Sequence, residues 1–282
     1  MKMRGIWCFA FLLTAMITLC STAEAAGVDA KSERSAMLRE IPFASIEGVS
    51  VGNAQDDEAK TGVTVFCFRD GAKTGVDISG GGPASRETPV LDPTKEDIGI
   101  HAIVLSGGSA YGLAAADGVM RCLETHGIGF ETGYAKVPLV VQSCIYDLCY
   151  GRSDVRPDAA MGYAACEDAL AGNHPVSGVV GGGTGATVGT FCGMKQSTKS
   201  GIGYYAVQIG ALKMGAAVIV NAWGDIYGDT VYVSSCGNTI EADVNMAGTL
   251  AAEVMAHAIE NALRSSRTDD SDHLPYCVDL EK

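Results

Sequence analysis

The order of apolar and polar positions divides the chain into short strands and a few helices. Val63–Phe68 and Gly75–Ser79 read as strands, with Arg69-Asp70-Gly71 as the turn between them. Residues 80–97 (GGGPASRETPVLDPTKED) are rich in turn formers and read as a long surface loop. Ala102–Leu105 is an apolar strand, and a helical pattern runs from Ser109 to His126. Val137–Gln142 is a further strand candidate. Asp158–Leu170 reads as a helix, with Asp158 as its cap after Pro157. A glycine-rich stretch follows at 172–189, then strands Tyr205–Ile209, Ala216–Val220 and Val231–Ser234. Met246–Leu263 closes the pattern as a long helix, with Leu250, Val254 and Ala258 recurring every four residues beside Met255, Ile259 and Leu263. Mixed helices and strands, several strands apolar enough for burial on both faces, define an α/β layered fold.

The N-terminus changes the picture of the whole. Lys2 and Arg4 precede an apolar run from Ile6 to Leu19, and Ala23-Glu24-Ala25 offers small residues before a cleavage point. Residues 1–25 therefore read as a signal peptide, and the protein is expected to be exported, periplasmic or secreted. Residues 26–44 are small and polar and read as a mobile leader, 45–264 as a single domain, and 265–282 as a polar tail. With 33 acidic against 20 basic residues the chain carries a net charge of −13, which disfavours nucleic acid as a partner. No later segment is long and apolar enough to span a membrane. The ten cysteines show no C-x-x-C spacing, so no zinc motif is readable, and export leaves disulfide pairing open. The five histidines form no motif and read as structural.

Candidate chemistry concentrates at Ser106-Gly107-Gly108-Ser109, where the strand ends and the helix begins. Ser109 could cap the first turn, and free N–H groups at a helix start attract anionic groups. Gly181–Gly189 is glycine-rich but lacks both the P-loop and the dinucleotide-fold order. Gly183 and Thr184 lie in it.

Six segments occur in order: GVSVGNAQDDEAKTGVTVF, GVDISGGGPASRET, SGGSAYGLAAADGVM, GGGTGATVG with TKSGIG, VIVNAWGD, and EADVNMAGTLAAEVMAHAI. Together they make residues 45–264 resemble the L-aminopeptidase/D-esterase family (DmpA type), whose relatives include β-peptidyl aminopeptidases and nylon-oligomer hydrolases. The resemblance implies a four-layer α/β/β/α sandwich of the DmpA/ornithine-acetyltransferase type. It implies hydrolysis of N-terminal amino acids from short peptides, amides or esters, with no metal or organic cofactor, in a homo-oligomer. It also implies self-cleavage before a Ser or Thr, whose new α-amino group serves as base.

Carried onto this chain, the resemblance assigns Asn221 as an oxyanion donor, Lys199 (in TKSGIG) as a group near the nucleophile, Tyr146 as a tyrosine near the scissile peptide, and Asp229 as the survivor of an acidic pair. Tyr227 takes the place of the other member. Ser106, Gly107, Gly108, Ser109, Gly183 and Thr184 are the substrate-binding candidates, and the resemblance implies that the glycines of 181–189 let the backbone line a substrate groove. Each has a plain structural alternative: a strand-end turn for Asn221, a solvated charge for Lys199, a buried phenol for Tyr146, an exposed turn for Asp229.

The family's nucleophile stands between a VNAWGD-like segment and an acidic turn. Here VIVNAWGDIY at 218–227 runs straight into GDTVYV at 228–233. The segment that carries the nucleophile is missing. Asn238-Thr239 resembles the Asn–Thr bond cut in the nylon-hydrolase branch and Thr230 is a weaker substitute, but a turn accounts for the first and strand propensity for the second. Two alternatives to a working hydrolase follow: a non-catalytic peptide-binding relative, or an acyltransferase of the ornithine-acetyltransferase type.

Overall fold

The computed structural model describes residues 38–96, 98–223, 230–237 and 243–266. The segment expected to be a signal peptide, most of the expected leader, Tyr227, Asp229, Thr239 and most of the tail lie outside them.

The strands are β1 (Leu38–Glu40), β2 (Ser50–Asp56), β3 (Thr61–Ile78), β4 (Ala84–Arg86), β5 (Ile100–Ser106), β6 (Phe130–Glu131), β7 (Lys136–Val137), β8 (Val140–Cys144), β9 (Thr187–Val188), β10 (Thr198–Lys199), β11 (Ile202–Ile209), β12 (Leu212–Ile219) and β13 (Thr230–Ser235). The α-helices are α1 (Ala115–Thr125), α2 (Ala159–Ala171) and α3 (Val244–Arg264). Four layers result, and side-chain alternation on the strands explains why.

In β3, Val63, Val65 and Cys67 point one way and join Ala102 and Val104 of β5 against α1 and α2. Phe66 and Phe68 point the other way, toward Ile202 and Tyr204 of β11. On β11 the alternation repeats: Val207 faces Leu250 and Val254 of α3. Helices α1 and α2, the large sheet, the small sheet and α3 therefore stack in that order, with an apolar core in each gap. This is the α/β/β/α sandwich.

The large sheet runs β13-β3-β5-β8-β4, with β2 also on β3. One long strand, β3, organises it. Its first half pairs β2 antiparallel, from Thr61↔Asp56 to Cys67↔Ser50, and its second half pairs β13, from Lys73↔Ser235 to Ile78↔Thr230. The turn expected at Arg69-Asp70-Gly71 is instead a break in register within one strand, between Cys67 and Ala72 on the β5 side. Among the described residues, only β5 and β8 pair in parallel, with Ala102 opposite Val140 and Ser106 opposite Cys144. The small sheet is β1-β11-β12.

Three expectations change. Residues 38–44, read as leader, join the fold through β1, which pairs Leu38 with Ile209. The loop expected over 80–97 contains β4, which adds an edge to β8. Ser109–Ala114 is a 3-10 helix with no side-chain cap, and the α-helix starts only at Ala115. The other two helix starts follow the sequence pattern closely. Asp158 Oδ1 accepts from Met161 N at 2.9 Å, and Asp243 Oδ1 accepts from Met246 N at 2.9 Å. Among the described residues, no helix is long and apolar enough to cross a membrane.

Tyr204 lies between the two sheets, against Phe43 and Phe66 at ring separations of 5.2 and 6.3 Å. Its hydroxyl is buried with no partner among the described residues, and burial pushes the phenol far above its ordinary range. An unsatisfied buried hydroxyl costs about 1–3 kcal/mol. Tyr204→Phe keeps both ring contacts and removes that cost. Urea melts are expected to show the variant at least as stable as the wild type, with a gain of about 1 kcal/mol. A loss of stability would mean that the hydroxyl has found a partner in solution.

Candidate active site

The parallel strands β5 and β8 end side by side at Ser106 and Cys144, and the chain segments that follow them pack together. Ile145 N donates to Ser106 O at 2.8 Å, and Ser109 N donates to Ile145 O at 2.9 Å. The short pair β9 and β10, joined at Thr198↔Val188 and Lys199↔Thr187, packs beside them. The end of β12 completes the group. Asn221 Oδ1 accepts from Thr187 N at 3.0 Å, while Asn221 Nδ2 donates to Tyr146 O at 3.0 Å. One amide side chain thus ties three segments together. Asn221 and Tyr146 meet directly, and Lys199 belongs to the strand that pairs with Thr187.

Lys199 is not a solvated charge. It is 1% exposed, and its Nζ donates to Ala186 O at 2.8 Å and Ser200 O at 2.6 Å. It also sits 5.2 Å from the centroid of the Tyr150 ring. A lysine is almost never buried unless paired. A second buried charge, Asp147, lies near enough to feel the lysine's charge; sequence reading missed it although it follows Tyr146 in the apolar IYDL run. A carboxylate in an apolar run was the available signal.

Asp147 is 4% exposed. Its Oδ1 accepts from Gly108 N at 2.7 Å and its Oδ2 from Thr61 Oγ1 at 2.7 Å. Burial pushes the carboxyl above the ordinary carboxylate range. The Gly108 and Thr61 hydrogen bonds and the charge of Lys199 pull against that.

This carboxylate changes the reading of the glycine turn. Gly107 N donates to Gly62 O at 3.0 Å, Gly108 N to Asp147, and Ser109 N to Ile145 O. The three amides that looked available to an external anion are engaged inside the protein, and the anion at this turn is the protein's own. Ser106 is fully buried, where its Oγ accepts from Gln142 Nε2 at 2.8 Å and lies 3.1 Å from Cys144 Sγ. Gly183 and Thr184 are also buried, and Thr184 Oγ1 donates to Gly181 O at 2.7 Å. These residues shape the floor beneath the site. Tyr146, Phe191 and Trp223 present their side chains outward, 58%, 71% and 70% exposed, and the last two meet edge to face at 5.4 Å.

The raised Asp147 carboxyl has a signed consequence. Its folded-state pKa lies above the unfolded one, so between the two the folded protein holds a proton that the unfolded chain has lost. Asp147 therefore adds most stability below the ordinary carboxylate range, and that contribution fades as pH rises through its folded value. Denaturation of wild type and Asp147→Asn across acidic pH should show the wild type gaining on the variant as pH falls. A difference independent of pH would mean that Asp147 titrates normally.

The stacked α/β/β/α layers define a fold that solved structures share. The structure superposes on a Burkholderia sp. β-aminopeptidase with a TM-score of 0.61 at 18% identity, over 81% of this chain and 87% of that one. It superposes on the L-aminopeptidase D-Ala-esterase/amidase of Ochrobactrum anthropi with a TM-score of 0.62 at 13% identity, over 85% and 91%. That enzyme is described as a prototype of serine aminopeptidases and a variant of the Ntn hydrolase fold.

The chain belongs to peptidase family S58, whose model matches residues 43–227. It is 39% identical over 196 residues to an uncharacterised aminopeptidase of Mycobacterium leprae (strain TN), covering 64% of this chain and 52% of the relative. It is 35% identical over 179 residues to a 6-aminohexanoate-oligomer endohydrolase of Kocuria sp. (strain KY2), covering 64% and 47%. The chain spans about half the length of the curated relatives it matches.

Proposed function

We propose that this chain is an exported S58 aminopeptidase-type protein that binds short peptides, amides or esters by their N-terminal residue, and that in the present sequence it binds without turnover. The observation that carries the binding half is Asn221. Its amide nitrogen has two hydrogens, and the Tyr146 carbonyl takes one. The other is the donor that a substrate carbonyl, or the oxyanion formed from it, would meet. The exposed side chains of Tyr146, Phe191 and Trp223 offer an apolar rim to the group bound there.

The absence of turnover is supported by the sequence beyond the family match. The match ends at Tyr227, and β13 begins at Thr230, so the chain enters its next strand without the segment that would carry a self-released Ser or Thr. An N-terminal nucleophile needs the α-amino group created by that cleavage as its base. The buried Lys199 and Asp147 do not replace it, because both spend their polar atoms on the protein.

Intact-mass spectrometry of the purified protein, with an assay on amino-acid nitroanilides, tests this reading. A single polypeptide after signal removal and no amine release are expected. Two fragments split at Asn238–Thr239, with turnover lost in Thr239→Ala, would establish a working enzyme instead. Binding is tested separately with a peptide aldehyde. Asn221→Asp keeps the acceptor for Thr187 N and loses both donors, and should weaken binding by roughly 2.7–4 kcal/mol if Asn221 is the oxyanion donor. Unchanged affinity would assign Asn221 to tying segments together and nothing more.

A further inference from the structure

The sandwich carries a second cluster of donor atoms away from this site, at the end of α1 farthest in sequence from the glycine turn. Cys122 and His126 stand one turn apart on α1 and its C-cap, and Glu167 faces them from α2. Their ligand atoms all lie within 4.8 Å of one another. We propose that Cys122, His126 and Glu167 form a binding site for a borderline divalent metal ion such as Zn2+, which ties α1 to α2.

The geometry supports a tetrahedral ion. With Zn–S near 2.3 Å and Zn–N and Zn–O near 2.1 Å, tetrahedral angles put S and N about 3.6 Å apart, S and O about 3.6 Å, and N and O about 3.4 Å. The structure has Cys122 Sγ 3.9 Å from His126 Nδ1 and 3.6 Å from Glu167 Oε1, and His126 Nδ1 3.8 Å from Glu167 Oε1. Side-chain shifts of a few tenths of an ångström close the triangle.

The donor types select the ion. Thiolate and imidazole favour zinc and its neighbours, whereas calcium and magnesium demand oxygen. The thiol is buried and forms the floor, while the His126 and Glu167 side chains are 35% and 44% exposed, leaving the fourth position to water. The Tyr163 phenol hydrogen-bonds the Glu167 carboxylate and would orient it as an outer partner does.

Two groups already use these atoms, and a third extends the chain of thiols. His126 Nδ1 lies 2.9 Å from Cys122 O, Cys122 hydrogen-bonds the Cys166 thiol, and Cys166 Sγ lies 3.8 Å from Cys67 Sγ. On binding, the Cys122 thiol releases its proton to solvent. The imidazole carries its proton on Nε2 and gives up the carbonyl contact. Close helix packing holds the ligands in register, since a Cβ on Gly118 would lie 1.8 Å from Ala159 O. The sequence hides the site because Glu167 is remote from Cys122 and His126 and belongs to a different helix. The proposal does not depend on peptidase activity.

The test uses the full chain, reduced with a non-thiol reductant, and Co2+ as probe. One equivalent of Co2+ should give a thiolate-to-cobalt charge-transfer band, and Zn2+ should displace it and raise the Tm. Cys122→Ser should abolish the band. Because Cys122 is in the core, His126→Ala and Glu167→Gln at exposed positions provide the independent check. Each should weaken Zn2+ binding by more than the roughly 10–100-fold that loss of an outer partner costs, and His126→Ala should also abolish the Zn2+-dependent Tm rise. Absence of the band and of the Tm rise in the wild type overturns the site. So does Zn2+ affinity unchanged in either surface variant.

Discussion

Lys199→Met is expected to destabilise the protein by about 2–4 kcal/mol, because two buried carbonyls lose their donor at about 1–3 kcal/mol each and the lost lysine desolvation offsets part of that. The substitution conserves length and apolar volume, so packing contributes little to the loss. What disappears is electrostatic. The carbonyls of Ala186 and Ser200 lose the donor that satisfies them, and Asp147 keeps its place in the interior without that nearby charge. Burial of the carboxylate then favours its protonated form more strongly. Chemical denaturation at neutral pH measures the loss, and repeating it at acidic pH should recover part of it as Asp147 takes up a proton. A loss under about 1 kcal/mol would place Lys199 among the weakly contributing surface charges, contrary to its burial.

The same two residues show where sequence reading succeeds and where it stops. Capping chemistry placed the start of α2 at Asp158, and periodicity placed α3 because that helix buries one stripe and exposes the other. Leu250, Val254 and Ala258 are buried, as their spacing required. Periodicity failed for β2, where Gly52, Asn53 and Gln55 interrupt the apolar alternation. It also split β3 at Arg69-Asp70-Gly71, because an exposed charged pair before a glycine looks like a turn whether the strand ends or merely shifts register. Asn221, Lys199 and Tyr146 were named by resemblance, and the structure brings their segments together. Asp147 was missed, and Ser106, Gly183 and Thr184 are buried in the structure. Spacing reveals that glycines allow a turn. It does not reveal which partner satisfies the amides of that turn, because the partner comes from β8 and its following loop, nearly forty residues away.

Gly107→Ala should be among the most damaging single-methyl additions in the chain. A Cβ at Gly107 would lie 1.9 Å from Asp147 Oδ2 and 2.4 Å from Thr61 Oγ1. Neither neighbour is the free end of a flexible side chain. Asp147 is held by Gly108 N and Thr61 Oγ1, and Thr61 is 2% exposed. The added methyl must therefore push the carboxylate off its donors. Overpacking alone costs typically 1–3 kcal/mol, and hydrogen bonds to a charged group add about 1.5–3 kcal/mol when lost. A loss of about 3–5 kcal/mol is expected, visible as a lowered denaturation midpoint.

The cause can be separated from a general intolerance of the turn by a double-mutant cycle. Asp147→Ala alone is also destabilising, because it leaves Gly108 N and Thr61 Oγ1 without the acceptor they now have. In that background the methyl at position 107 no longer meets the carboxylate, and Thr61 Oγ1 at 2.4 Å remains as its close neighbour. The penalty of the methyl should fall below the single-mutant value, giving a coupling within the roughly 0.5–3 kcal/mol range measured for residues in contact. Additive penalties would show that Gly107 is required for some reason other than Asp147, and would remove the carboxylate from its position as the anchor of the glycine turn.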